Sequence, residues 1–377
     1  MRVIAIACLV GCSNSPVVPD VPDARATDSG AAPDAPSCAN QPWTMETAIS
    51  DGRKQFEGTL DVDGSGSVHL SSTYKASTSG VHYAHRAPGG GWTVEDASMA
   101  GIPIGSSMVH AADGQIHIAF ATAATTFTVA TADRDVGGTW TGYQLQANGT
   151  PETPSNAMTS NGRLHIAYPP SDRSTVCYMW RDPVSGWSSC ASFGDPGAQA
   201  HRVSLASDPG GAIHVAYWDS YNSKIELASR DSVGAWTIDP VQADSMNGAG
   251  GSRWLVIDAA GTVHLAYPDA TGLVYAQRNA GVWAKERADP TPKLGCNASL
   301  VVDAAGFASI IYKSCLVGTA GVWFAHRGSS STWSVTQLDA TADNIGPAML
   351  GIGPDSRLHA AWVNSAGDVV YATTPCP

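Results

Sequence analysis

Residues Asp258–Trp283, DAAGTVHLAYPDATGLVYAQRNAGVW, recur with changes seven times along the chain. Within this stretch Val263, Leu265 and Tyr267 alternate with His264 and Ala266, the period of two that marks a β-strand. A tight turn precedes that strand, with Asp258 bonding the local backbone and Gly261 supplying positive φ. A further strand follows at Leu273–Ala276, and another opens at Trp283.

The His of VHLAY serves as a ruler. It falls at His69, His117, His165, His214, His264 and His359, and a seventh copy, Phe307–Tyr312, carries Ser309 in that place. The steps are 48, 48, 49, 50, 45 and 50 residues. A fixed period of this length with four short strands per unit predicts a β-propeller. The turn before each ruler strand is Asp63/Gly66, Asp208/Gly211, Asp258/Gly261 or Asp303/Gly306, with Asp113-Gly114 and Asn161-Gly162 in blades two and three. The fourth strands open at Trp92, Trp140, Trp187, Trp236, Trp283 and Trp333. We name the strands of each blade A to D from the axis outward.

A further Trp settles the closure. Trp43-Thr-Met-Glu-Thr-Ala48 matches Trp92-Thr-Val-Glu-Asp-Ala97 but precedes any A strand, and the chain stops six residues after Tyr371. Trp43–Ala48 is therefore expected to be the D strand of the last blade. The prediction is an all-β, seven-bladed propeller over residues 41–377, with four-stranded antiparallel blades and no open sheet edge.

At the amino end one Arg precedes a short apolar run, as in a secretory signal. Leu9-Val-Gly-Cys12 resembles a bacterial lipobox, which implies a signal over residues 1–11, lipid on Cys12 and, with Ser13 rather than Asp next, sorting to an outer membrane. Residues 12–40 are rich in Pro, Asp, Ala and Ser with little to bury, and are expected to form an unstructured tether. The lipid would be the sole membrane attachment, because no other apolar run approaches the ~20 residues of a span. The formal charge of −12 argues against a nucleic-acid partner, which needs a basic footprint.

Six cysteines remain after Cys8 and Cys12. The repeat register pairs them as Cys177–Cys190 across the C–D turn of blade three, Cys296–Cys315 on one face of blade six, and Cys38–Cys376 where the split last blade lacks its C–D turn. Disulfides suit an exported protein, and the absence of Cys-x-x-Cys spacing argues against zinc held by thiolates.

The repeated His residues look like a metal or catalytic array, but a catalytic centre needs one asymmetric constellation rather than the same residue in blade after blade. They read as satisfied buried groups between blades. No metal and no cofactor are expected. His82, His85, His110, His201 and His326 lie off the repeated position, and nothing in the sequence raises one above the others. Departures from the repeat gather on the face formed by the D–A and B–C loops: His201-Arg202, Arg253-Trp254, and Trp218-Asp219 with Tyr221 and Lys224, together with Asn156, Asn297 and Lys293. Aromatics beside fixed donors and acceptors suit sugars or peptides, and loops carried on a rigid scaffold are where binding residues sit. The expected binding set is His201, Arg202, Trp218, Asp219, Tyr221, Arg253 and Trp254. No Gly-x-Ser-x-Gly elbow, His-Glu-x-x-His helix or phosphate loop is present.

With its blades aligned, the chain resembles bacterial BNR/Asp-box-like, sialidase-type propeller repeats over nearly all of residues 43–374. Asp133-Arg-Asp135-Val-Gly137-Gly-Thr-Trp140 is similar to an Asp-box lacking its leading Ser. The Phe-Arg-Ile-Pro motif of the sialidases is missing, so sialidase activity is not carried over. Other relatives of this kind are polysaccharide lyases using His, Tyr and Arg, or lectins. The expectation is a non-catalytic monomer of the cell envelope that binds glycan or protein through the D–A/B–C face. The alternatives are a glycan-active lyase or hydrolase with its site on that face, or an envelope scaffold protein.

Overall fold

The computed structural model describes residues 42–375 apart from short segments at 76–78, 98–101, 124–126, 148, 150–151, 183, 244–252, 293, 317–319, 329–330 and 343–345. The chain divides into two units, Met1–Pro36 and Ser37–Pro377, and the described residues belong to the second. Cys12, Cys38, Cys376, Lys293 and the expected signal and tether lie outside them.

The unit is a seven-bladed β-propeller of antiparallel blades, and no helix occurs among the described residues. Blade one is Lys54–Val62, Val68–Lys75, Gly80–Arg86 and Thr93–Asp96, hydrogen-bonded in that order, and the pattern repeats around the ring. Thr44–Ile49 pairs with Val369–Thr373 as the D strand of blade seven, so the ring closes as the displaced Trp43 segment predicts. Blade three interrupts its D strand as Gly186–Trp187 and Ala191–Phe193, both paired with Val176–Asp182. The Cys177–Cys190 disulfide crosses that pair, with Cα atoms 5.5 Å apart. Cys296–Cys315 joins the start of strand A to the end of strand B in blade six. Two disulfides are the mark of an extracytoplasmic protein. No helix among the described residues is long and apolar enough to cross a membrane.

The core lies between blades, because each sheet buries alternate side chains against its neighbour. Leu205, Val215 and Tyr217 of blade four pack with Tyr178 and Phe193 of blade three, and Leu265 and Tyr267 of blade five pack with Trp218 and Leu227 of blade four. Near the axis, Thr59 Oγ1 accepts the N–H of Met108, Ser155 Oγ that of Leu205 and Ser204 Oγ that of Leu255, so successive A strands are stitched by hydroxyls. At the rim, the Arg ending a C strand and the Trp opening a D strand both donate to one carboxylate of the preceding blade. Arg134 and Trp140 meet Glu95, Arg327 and Trp333 meet Glu286, and Arg86 and Trp92 meet Glu46 on the closing strand.

The repeated His residues are buried except His214, which is half-buried, and Nδ1 of His69, His165, His264 and His359 lies 2.6–2.7 Å from the hydroxyl of a C-strand tyrosine. Blade two has Thr131 where those blades have Tyr, and His117 turns its Nδ1 to Asp133 at 2.7 Å instead. The A–B turns place Gly66, Gly211, Gly261 and Gly306 at φ 80–85°, whereas blade seven puts Ser356 there at φ 62°. A side chain in the left-handed region costs about 1–2 kcal/mol. Ser356→Gly is therefore expected to stabilise the protein by about 1 kcal/mol, read as a rise in the urea midpoint.

Candidate functional site at the mouth of the central channel

Strand A enters from the D–A loop, so its first residues line the mouth of the channel on the D–A/B–C face. In blade four this entry is bulged: Ala200 and His201 pair with Asp219 and Trp218, and the register shifts before Ser204. Arg202 sits in the bulge at φ 52°. A non-glycine residue there is held at a strain of about 1–3 kcal/mol, a cost that persists where surrounding contacts impose it. Those contacts are visible. The Arg202 N–H donates to Glu152 Oε2 at 2.8 Å, and the Arg202 carbonyl accepts from Trp254 Nε1 at 3.0 Å.

Glu152 occupies in blade three the place of His201 in blade four, and it organises the mouth. It is buried, and its Oε1 lies 2.6 Å from His201 Nδ1 and 3.2 Å from Arg173 Nη2 of the blade-three B–C loop. Burial alone would raise its pKa, but the His201 bond and the Arg202 N–H outweigh it and hold the carboxyl below the usual range. With Nδ1–H given to this carboxylate, His201 presents Nε2 outward. Its ring lies 5.3 Å from that of Trp218.

Three blades meet around Arg202. Its guanidinium is 3.8 Å from Glu57 of blade one, and Glu57 also accepts the hydroxyl of Thr153 from blade three. The bridge from blade one to blade three passes over blade two because residue 105 there is glycine. A Cβ on Gly105 would lie 2.0 Å from Thr153 Oγ1 and 2.6 Å from Glu57 Oε2. At 3.8 Å the Arg202–Glu57 pair is loose, and the Arg202 side chain is partly exposed, which leaves this cation able to change partner.

The structure brings His201, Arg202 and Trp218 together and places the other expected residues elsewhere. Neither expected Trp is an exposed platform: Trp218 and Trp254 are buried in one core cluster, and Trp254 props Arg202 from behind. Asp219 is also buried. Its Oδ1 accepts N–H bonds from Gln199, Tyr221 and Asn222, and its Oδ2 one from Asn222 Nδ2, so it shapes the B–C turn. Tyr221, at the tip of that turn, is 72% exposed. Arg253 lies farther down the channel, 3.4 Å from Asp61 across the ring, in a cavity of about 280 Å³ that His110 also lines. Asp61 is four residues past Glu57, about 13 Å along the strand.

Sequence reasoning missed Glu152, Arg173, Glu57 and Thr153. Glu152 was findable: it lies 49 residues before His201 in the repeat register, a charge at a position that other blades fill with Cys296 or Gly346. It also missed a groove of about 810 Å³ on the opposite face, between blades two and three. There Arg181 donates to Asp133, which also holds His117, beside the half-exposed Tyr143. The Asp-box-like segment does form the C–D turn, where Asp135 Oδ1 accepts the Thr139 N–H.

No protein family's sequence profile matches this chain, and no curated protein matches it. Solved structures do. AofleA from Arthrobotrys oligospora superposes with a TM-score of 0.55 at 10% identity, over 79% of this chain and 90% of its own. A polysaccharide lyase, an ulvan lyase bound to -[GlcA(1-4)Rha3S]-, gives 0.54 at 14%, over 87% and 95%. The lectin of Aleuria aurantia, a six-bladed propeller described for its fucose recognition, gives 0.50 at 15%, over 80% and 98%. At these identities the likeness is one of fold.

Proposed function

We propose that this protein is a non-catalytic, glycan-binding propeller that takes an acidic saccharide at the D–A/B–C mouth, with Arg202 and Arg173 as the anion-binding groups. The observation that carries the reading is Arg202 itself. A strained backbone, fixed by Glu152 on one side and Trp254 on the other, aims a loosely paired guanidinium at the axis of the ring. Guanidinium suits the planar carboxylate of a uronic acid or a sulfate ester. Tyr221, on the B–C turn of the same blade, supplies exposed aromatic surface. That propellers of this shape include a lectin and a lyase with bound saccharide supports a glycan over a protein ligand. We further propose that lipid on Cys12 anchors the protein in the cell envelope, with residues 13–40 as its tether.

Affinity electrophoresis in gels containing polygalacturonate or alginate tests this reading. The protein should be retarded, and Arg202→Ala should weaken retention about ten- to a hundredfold, the worth of a hydrogen bond to a charged group. Equal mobility with and without acidic polysaccharide, from folded protein, would direct attention to an envelope protein partner instead.

One observation favours a second reading. Glu152 orients His201 through Nδ1, so that its Nε2 would take the proton α to a uronate carboxylate neutralised by Arg202, the β C–O glycosidic bond breaking as the C=C forms and the leaving oxygen taking its proton from water. This is lyase chemistry, and it would reveal itself as an ultraviolet-absorbing unsaturated product accumulating during prolonged incubation.

A further inference from the structure

On the face opposite the mouth, where the A–B turns lie, three donors meet at the junction of blades one and two. The side-chain donor atoms of Asp63, His69 and His110 all lie within 4.8 Å of one another. We propose that these three residues bind one divalent transition-metal ion of the zinc class.

The geometry is partly built. Asp63 Oδ2 is 3.4 Å from His69 Nε2. Metal–ligand bonds of about 2.0–2.2 Å in a tetrahedron put ligand atoms about 3.3–3.6 Å apart, so this edge already has its final length, and His110 needs to close by about 1 Å. Asp63 is fixed by its other oxygen, which accepts the Ser65 N–H and hydroxyl and the Ser67 N–H. Oδ2 is thus held toward the imidazole. His69 Nδ1 lies 2.7 Å from Tyr83 Oη. A phenol can accept from Nδ1–H, which frees Nε2 for a metal and supplies the outer partner that ligating histidines usually have. The His110 ring stacks on His69 with centroids 4.8 Å apart, and its imidazole makes no hydrogen bond to a described residue.

The other blades act as internal controls. The strand-A position of His110, paired next to the turn, is Val62, Met158, Ser207, Ile257, Val302 and Ile352 elsewhere. Asp208–His214 and Asp258–His264 repeat the carboxylate–imidazole pair at 3.6 and 3.1 Å, but Ile257 and Val302 stand where a third donor would be. Asp, His and His coincide at one junction of the seven. Ligand type favours zinc, cobalt, nickel or copper over calcium or magnesium, since two of the three donors are imidazole. The site is also reachable, because His110 lines both the channel cavity and the groove between blades two and three. Three protein ligands leave a fourth position for water or a ligand group.

The test uses the full chain without a polyhistidine tag, stripped of metal and titrated with Zn²⁺ and with Co²⁺. One Zn²⁺ per chain, retained on desalting, and a visible Co²⁺ absorption band are expected. His110→Val installs the residue that blades one and six use, so its melting temperature without metal should match that of the parent. It should lose the band and the bound zinc, and the rise in melting temperature with Zn²⁺ should vanish. His110→Asn, which keeps a polar side chain, should behave the same way. No uptake by the parent, or equal uptake by His110→Val, overturns the proposal.

Discussion

Trp254→Ala is expected to lower the free energy of unfolding by about 3–5 kcal/mol, the usual cost of truncating a buried aromatic to alanine. The indole is wholly enclosed, packed with Trp218, Ile225, Leu227, Val241 and Tyr267 between blades four and five. Its loss leaves a cavity that rigid neighbouring blades cannot collapse into, and it strands the Arg202 carbonyl that its Nε1–H now satisfies. The Arg202 bulge then loses one of its two supports, so saccharide retention should fall with stability even though Trp254 touches no ligand. Urea unfolding of Trp254→Ala beside Tyr221→Ala checks this. Tyr221 is exposed, and its truncation should stay within about 0.5 kcal/mol of the parent. Equal stability of the two variants would mean that Trp254 is not the core residue described.

The second large effect is on acid stability. Burial pushes His165 down to about 4, with Arg163 and Arg230 adding to the shift. Burial likewise takes His359 to about 4, against the opposing pull of Asp355. His69, His214, His264 and His326 are lowered too, each chiefly by burial. An unfolded histidine takes up its proton near pH 6.5. Below that pH the unfolded chain therefore binds more protons than the folded one, and stability falls until the folded residues titrate near pH 4. The stabilisation is complete above about pH 6.5 and lost between there and about pH 4. His165 and His359 each contribute about 3 kcal/mol on this scale, a large share of the 5–15 kcal/mol typical of a folded protein. Carboxylates held low, Asp258 and Glu152 among them, extend the loss to lower pH. Urea midpoints measured from pH 7 to pH 4 should fall steeply. A flat profile over that range would mean that these imidazoles are not buried and neutral.

The fold was legible because the repeat carries its own punctuation. The His ruler, the Asp-x-x-Gly turns and the Trp of each D strand are local signals, and the displaced Trp43 copy is explicable only by a closed ring. The register even paired Cys177 with Cys190 and Cys296 with Cys315. The site was legible in part. His201 and Arg202 stood out as departures from the repeat, but residue type could not say which aromatics were exposed. Trp254 and Trp218 are both core side chains between blades four and five, and of the three aromatics expected at the site Tyr221 alone is exposed. Asp219 was read as a binding carboxylate and instead caps its own turn. Glu57, Thr153 and Glu152 escaped notice because they meet across blades, at separations of 49 to 96 residues. His110 looked like one unremarkable off-register histidine until the ring put it beside His69.

The most direct test of the functional account is a glycan-array screen of the purified protein with its disulfides intact, run in parallel with Arg202→Ala. The account predicts binding to uronate- or sulfate-bearing saccharides that weakens about tenfold or more in Arg202→Ala, while neutral glycans show little. Binding that is absent across the array, or unchanged by Arg202→Ala in a folded protein, would contradict it.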